Sequence, residues 1–282
     1  MTMILITTAG SVGAASARLL AERGEQVRVL VRRPERARDP ALAGVDVVEG
    51  DLGVPATVDA ALDGATRVVL VSTAGPQEEL NVVHGAVRRG VEHIVKITSM
   101  SSPDSPVARR RDQYRVEQGL IASGLGWTLL RNNAYMQNFL MLARGIARTG
   151  AFASNTGEGR IGMVDTRDVA AAAVAVVGRP DRHAGATYRL SGPQSLSYAD
   201  AAAVLSSALG RSVRFDPLTD AEQTRQLVDA GLPPTLAASV TDALALFATG
   251  DHDWVTDDVE RLTGLRPRPF ATFATDHRAA FS

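Results

Sequence analysis

The chain of 282 residues contains no cysteine, which excludes disulfide stapling, thiol nucleophiles and Cys-ligated zinc. Lysine is almost absent as well: of 30 Lys plus Arg, only Lys96 is lysine. No apolar run reaches the roughly 18 residues that a membrane-spanning helix requires. Net charge is −1 and there is no long basic run, so the electrostatic footprint of a nucleic-acid binder is missing. A Gly-x-Ser-x-Gly nucleophile elbow is not found. The five histidines (His84, His93, His183, His252 and His277) lack the spacing of a metal site. "DHDW" (251–254) holds ligand-type side chains, but neighbours on a surface loop rarely converge on one ion, so no metal is expected. The first residues lead directly into a strand, without a charged leader and cleavage site. The expectation is a soluble cytoplasmic protein that handles a small molecule, not nucleic acid or membrane. Its oligomeric state stays open.

What is present is ordinary globular composition, 45% hydrophobic and 22% charged, on a chain long enough to bury a sizeable core. Strand-like and helix-like segments alternate through the first half. "MILIT" (3–7), "VRVLVR" (27–32), "VDVVEGD" (45–51), "RVVLVST" (67–73), "HIVKITS" (93–99) and "WTLLRN" (127–132) read as strands. Helices are expected over 14–23, 80–89 and 109–123. Short Val/Ile/Leu runs suit strands covered on both faces, with helices as crossovers. This rhythm predicts an α/β fold: a Rossmann-type doubly wound parallel sheet with a smaller C-terminal α/β cap domain. The expected division is a dinucleotide-binding domain over 1–135, later sheet segments around 160–192, and a cap over 193–282. Ser197 and Asp200 read as a capping pair before a helix closed by Gly210.

The opening stretch "ILITTAGSVGAAS" turns from strand to helix. Such a turn aims backbone N–H groups at a helix N-terminus, where a pyrophosphate binds. Glycine is wanted where backbone nears phosphate and where helix packs on strand. Gly10 and Gly13 suit these two jobs, although a plain strand-to-helix turn also uses glycine. Arg32 lies 19 residues past Gly13, where NAD-binding folds place an acid for the ribose. Arg32 and Arg33 instead offer guanidiniums suited to the 2′-phosphate of NADP, or they belong to a solvated basic loop, "RRPERAR". Asp51 in "EGDL" is placed to accept from an adenine amino group, or to cap a helix. Ser72 and Thr73 end the fourth strand, where the middle of the cofactor would lie.

In order, "ILITTAGSVG", "VRVLVRRPERA", "EGDL", "GVEHIVKITS", "SGLGWTLLRNNAYMQNFL" and "IGMVDTRDVAAAA" resemble the NmrA-like group of atypical short-chain dehydrogenase/reductases. That group includes the NADPH-dependent quinone oxidoreductase and triphenylmethane-dye reductase types, and the likeness spans nearly the whole chain. It implies a Rossmann domain that binds NADPH, with a small C-terminal domain closing a cleft over the nicotinamide. Carried over by position, Gly10, Ser11, Val12 and Gly13 would hold the pyrophosphate, and Arg32 the 2′-phosphate; Thr7 is a further candidate for the cofactor. Asp51 and Leu52 would flank the adenine, Ser72 and Thr73 the ribose, and Thr98 and Ser99 the nicotinamide. Asn132, Asn133 and Tyr135 would stand where cofactor and acceptor meet. The chain departs from the group twice. Its glycine loop is one residue short, and Gln113 stands where members carry Lys or His; glutamine can hold a ligand but cannot move a proton.

The tyrosines are Tyr114, Tyr135, Tyr188 and Tyr198, and none has a lysine four residues on. The Tyr-Lys acid-base pair of ordinary short-chain dehydrogenases is therefore missing. Lys96, inside a strand, reads as a snorkelling structural residue. Hydride transfer to a quinone-like or related conjugated aromatic acceptor suits such a site, because delocalised charge needs little proton assistance. Ser99, Gln113, Asn133 and Tyr135 are the candidates for orienting the acceptor or supplying a proton. The other reading is a redox sensor that binds NADP without turnover and regulates a protein partner. "ARRRDQYR" (108–115) is a basic patch at a helix start, either solvated or facing an acidic substrate.

Overall fold

The computed structural model describes residues 2–33, 35 and 42–282. The first half runs β1 (Met3–Ile6), α1 (Ser11–Glu22), β2 (Gln26–Val31), β3 (Asp46–Glu49), α2 (Pro55–Ala61), β4 (Ala65–Leu70), α3 (Pro76–Arg89), β5 (His93–Ser99), α4 (Ala108–Ile121) and β6 (Gly126–Asn132). A 3-10 turn (Met136–Met141) leads into α5 (Ala143–Thr149), β7 (Ala151–Ser154), α6 (Thr166–Gly178) and β8 (Ala186–Leu190). Then come α7 (Tyr198–Leu209), β9 (Arg214–Pro217), α8 (Asp220–Asp229), α9 (Pro234–Ala248), α10 (Asp258–Thr263) and α11 (Phe270–Asp276).

Seven strands pair in the order β3-β2-β1-β4-β5-β6-β8, all in parallel. Alternate side chains enter different layers, as the period of two requires. Ile4 and Ile6 pack with α1 and α6 on one face, while Leu5 packs with α2, α3 and α4 on the other. Strand order reverses between β1 and β4, which opens a crevice at their carboxyl ends.

Helix ends follow local chemistry. Ser197 and Asp200 form a reciprocal capping box and Gly210 closes α7 in the left-handed region. Asp165 caps α6 by accepting from the Arg167 N–H. The helix α1 begins at Ser11, earlier than its apolar pattern alone suggests, because Gly10 in extended backbone serves as its cap.

A second core gathers Phe139, Phe152, Tyr198, Phe270, Phe273 and Phe281 in tilted and edge-on ring contacts. It draws on 136–163 as well as the C-terminal part, because β7 pairs with β9. Conversely α10 returns to the sheet, where Val259 joins the layer of α1 and α6.

Candidate cofactor and acceptor site

At the crevice, α1 opens without a side-chain cap and without an acidic residue in its first turn. Gly13 is there because backbone crowds it: a Cβ built on it would stand 1.9 Å from the Thr8 carbonyl oxygen. Gly10 is exposed, and a Cβ there would meet only Thr8 Oγ1, at 3.9 Å. The cradle therefore presents free space over uncapped N–H groups, which is what a pyrophosphate needs. Val12 is buried in the α1 layer and Ser11 is exposed. Thr7 is fully buried; its hydroxyl donates to Val71 O at 2.7 Å and accepts from Val71 N–H at 2.9 Å. That pair fastens β1 to the end of β4.

Arg32 and Arg33 follow β2 directly and are both exposed, with no carboxylate partner among the described residues. Pro34 and residues 36–38 of the basic stretch lie outside the described residues. Asp51 Oδ1 accepts from the Gly53 N–H at 2.8 Å, which shapes the turn after β3. Leu52 is buried, and its carbonyl accepts from Asn81 at 2.9 Å. Ser72 donates to Glu79 Oε1 at 2.8 Å, whereas Thr73 is exposed.

The carboxyl ends of β5 and β6 bring the other candidates together. Thr98 Oγ1 lies 2.9 Å from Gln113 Oε1 and 3.1 Å from Glu117 Oε1. Asn132 Nδ2 donates to Thr98 O at 3.1 Å and to the Tyr135 hydroxyl at 3.0 Å. Ser99 is the register partner of Asn132. Asn132 Oδ1 is buried without a donor, an acceptor that an amide N–H such as that of a nicotinamide carboxamide would satisfy. Burial pushes the Tyr135 phenol up to about 12, although the Arg109 guanidinium and the Asn132 hydrogen bond pull it down.

Behind these groups lies a charged network that the sequence reading missed. Lys96 does not snorkel. It is 1% exposed, donating to Glu79 Oε1 at 2.8 Å and to Ile97 O at 2.7 Å. Strand β5 is covered on both faces, so its ammonium has no route to water and takes its counter-charge from α3. Burial pulls Lys96 below the ordinary lysine value, and the Glu79 carboxylate opposes this. Gln113 Nε2 reaches Glu79 Oε2 at 3.3 Å, and Arg131 pairs with buried Glu117 at 2.5 Å. The one sequence signal was a single lysine inside an apolar strand.

Asn133 stands apart from this cluster. Its Nδ2 donates to His252 O at 3.0 Å and Trp254 O at 3.4 Å, and its Oδ1 accepts from Ala134 N–H. The side chain thus holds the "DHDW" segment, which is an anchored strap and not a free surface loop. Asp251 pairs with Arg110, Asp253 accepts from Ser195, and Arg189 stacks 4.2 Å over Trp254. Burial and the Arg110 charge hold the His252 imidazole down to about 4.

A parallel sheet with an uncapped helix at its switch point defines a Rossmann-type dinucleotide-binding protein. The chain matches the model of the NAD(P)H-binding family over residues 8–180 and belongs to that family. It is 36% identical to the NAD(P)H azoreductase of Xenophilus azovorans, over 99% of each chain. The Escherichia coli NADPH-dependent quinone oxidoreductase, solved with NADPH, has a TM-score of 0.88 at 28% identity, over 97% of this chain and 99% of that one. The Citrobacter sp. triphenylmethane reductase, solved with NADP(H), has a TM-score of 0.86 at 26% identity, over 97% and 99%. Among the described residues, no helix is long and apolar enough to cross a membrane.

Proposed function

We propose that this protein is an NADPH-dependent reductase that transfers hydride to a quinone or a related conjugated aromatic acceptor. One observation carries the choice of acceptor. The phenol nearest the β5 and β6 ends, Tyr135, is held up to about 12 and has no lysine partner. A group that weak as an acid assists little in protonating a ketone oxygen. A quinone or azo acceptor delocalises the arriving charge and needs less help. The azoreductase, quinone oxidoreductase and triphenylmethane reductase relatives act on acceptors of this kind by name.

In this reading residues 1–135 bind the cofactor and residues 193–282 close over it. NADPH, when bound, supplies the hydride. Thr7 and the 10–13 loop line the pyrophosphate, Arg32 and Arg33 hold the 2′-phosphate, and Asp51 and Leu52 border the adenine. Ser72 and Thr73 line the ribose, while Thr98 and Asn132 hold the nicotinamide end. Gln113 and Ser99 orient the acceptor beside Tyr135, and Asn133 fixes the strap that walls the cleft. The test is NADPH oxidation against a panel of quinones and azo dyes, with cofactor binding followed by tryptophan fluorescence. Turnover supports the reductase. Saturable binding of both redox forms without turnover across the panel would favour the sensor, and failure to bind either form would overturn both.

A further inference from the structure

The basic start of α4 is not absorbed by the cofactor site. Three arginines stand there, and two are engaged. Arg110 pairs with Asp251, and Arg111 donates to Ser105 O at 2.6 Å and Pro106 O at 2.8 Å. Arg109 is exposed and has no carboxylate partner among the described residues.

Its position follows from helical spacing. Residues four apart share a helix face, so Arg109, Gln113 and Glu117 form one row. Glu117, at the inner end, is fully buried against Thr98 and Arg131. Gln113, in the middle, is half-buried and bonded to Thr98. Arg109 is the exposed outer end of that row. Its charge reaches two groups inside, opposing the protonated form of both Lys96 and Tyr135. Three neighbouring cations each face a carboxylate: Lys96 faces Glu79, Arg131 faces Glu117 and Arg110 faces Asp251. Arg109 thus keeps an exposed positive charge at the start of α4 with no carboxylate beside it among the described residues, while the Arg111 guanidinium is turned onto the Ser105 and Pro106 carbonyls.

We propose that Arg109 selects the acceptor, by pairing with an anionic substituent (sulfonate, carboxylate or phosphate) on the conjugated ring system. This rests on the reductase reading, and it narrows the substrate class to acidic aromatic or quinonoid compounds. A guanidinium fork suits all three oxyanions.

The probes are 1,4-naphthoquinone and 1,4-naphthoquinone-2-sulfonate, compared as a ratio of kcat/KM in wild type and variants. Taking the ratio between proteins cancels the intrinsic reactivity difference of the two quinones. In Arg109→Gln the sulfonate-to-parent ratio should fall about fivefold, the scale of a well-placed charge pair near water. Arg109→Glu should lower it further, and Arg109→Lys should keep most of it. Salt at about 0.5 M should compress the wild-type ratio toward that of Arg109→Gln. Titration of the sulfonate onto the NADP⁺ complex, read by fluorescence, should show the same order of affinities. An equal ratio in wild type and Arg109→Gln, with the parent quinone reduced, would overturn the selector and leave the reductase standing. A rise in KM for NADPH with that ratio unmoved would also overturn it, because Arg109 would then serve the cofactor. Absence of turnover with either quinone in wild type would strike the reductase reading itself, and this inference with it.

Discussion

Gly13 and Thr8 meet backbone to backbone, with only 1.9 Å between the Thr8 carbonyl oxygen and the place a Gly13 Cβ would occupy. No side-chain adjustment can relieve that, so in Gly13→Ala either α1 moves off the strand or the turn reorganises. Over-packing of this kind costs about 1–3 kcal/mol, and it displaces the N–H groups of the first turn. Gly10→Ala has the opposite profile. Space exists there, so stability should stay within about 1 kcal/mol, the scale of an exchanged helix cap, while NADPH affinity drops if phosphate approaches that backbone. Urea unfolding and NADPH titration of both variants separate the roles. A stable Gly13→Ala that binds as wild type would refute the packing account.

Arg32 follows the last residue of β2, is exposed, and has no carboxylate partner among the described residues. Arg32→Ala should weaken NADPH binding about tenfold, as expected for a lost charge-assisted hydrogen bond, with a much smaller effect on NADH. Dissociation constants for both nucleotides decide it. Equal losses would dismiss the 2′-phosphate assignment, and a loss shared with Arg33→Ala would divide the role between the two.

Much of this was legible because the determinants are local. The strand 93–99 is read with its observed bounds, and the Ser197/Asp200 box and Gly210 stop are chemistry within a few residues. The crevice needs only strand order and one glycine. The charged network was not legible: Glu79, Lys96, Gln113, Glu117 and Arg131 come from α3, β5, α4 and β6, and only tertiary packing makes them neighbours. Lys96 read as snorkelling because one strand does not reveal whether a carboxylate awaits it on a helix. The short α2 and β7 lack the length that makes a period visible; Pro55 at the start of α2 was its one local sign. The "DHDW" strap misled for a related reason, since Asn133 and Arg110, which anchor it, are more than a hundred residues away.

The Lys96–Glu79 pair makes opposite predictions for one-sided and two-sided replacement. Both side chains are at most 1% exposed and their charged atoms are 2.8 Å apart. Lys96→Met strands the Glu79 carboxylate in a dry layer, at a cost of about 3–5 kcal/mol. Lys96→Met with Glu79→Leu removes both charges and should recover most of that, although Ser72 and Gln113 then lose an acceptor. Chemical denaturation of the two single variants and the double variant measures the coupling. Simple additivity of the single losses would show that the two charges do not depend on each other.

His93 lies at the opposite end of β5 from Thr98 and Ser99, 3% exposed, with Nε2 2.9 Å from Thr128 Oγ1. The Thr128 hydroxyl spends its proton on His183 O at 2.7 Å, so Nε2 of a neutral His93 carries hydrogen and donates. Burial first, then the Arg67 charge, holds the folded imidazole down to about 4. Unfolded histidine titrates near 6.5. Between those values the unfolded chain binds a proton that the folded chain refuses, so this contribution is complete above pH 6.5 and drains away as pH falls toward 4. From pH 7 to pH 5 the loss from His93 should be about 2 kcal/mol. Because His252 is also held to about 4, the measurement is a difference: unfolding free energies of wild type and His93→Gln across that range. Glutamine keeps a donor toward Thr128 but cannot take the proton, so its curve should be flatter by that amount. Parallel curves would mean that folding does not depress the His93 imidazole, and the buried neutral donor assigned to it would be wrong.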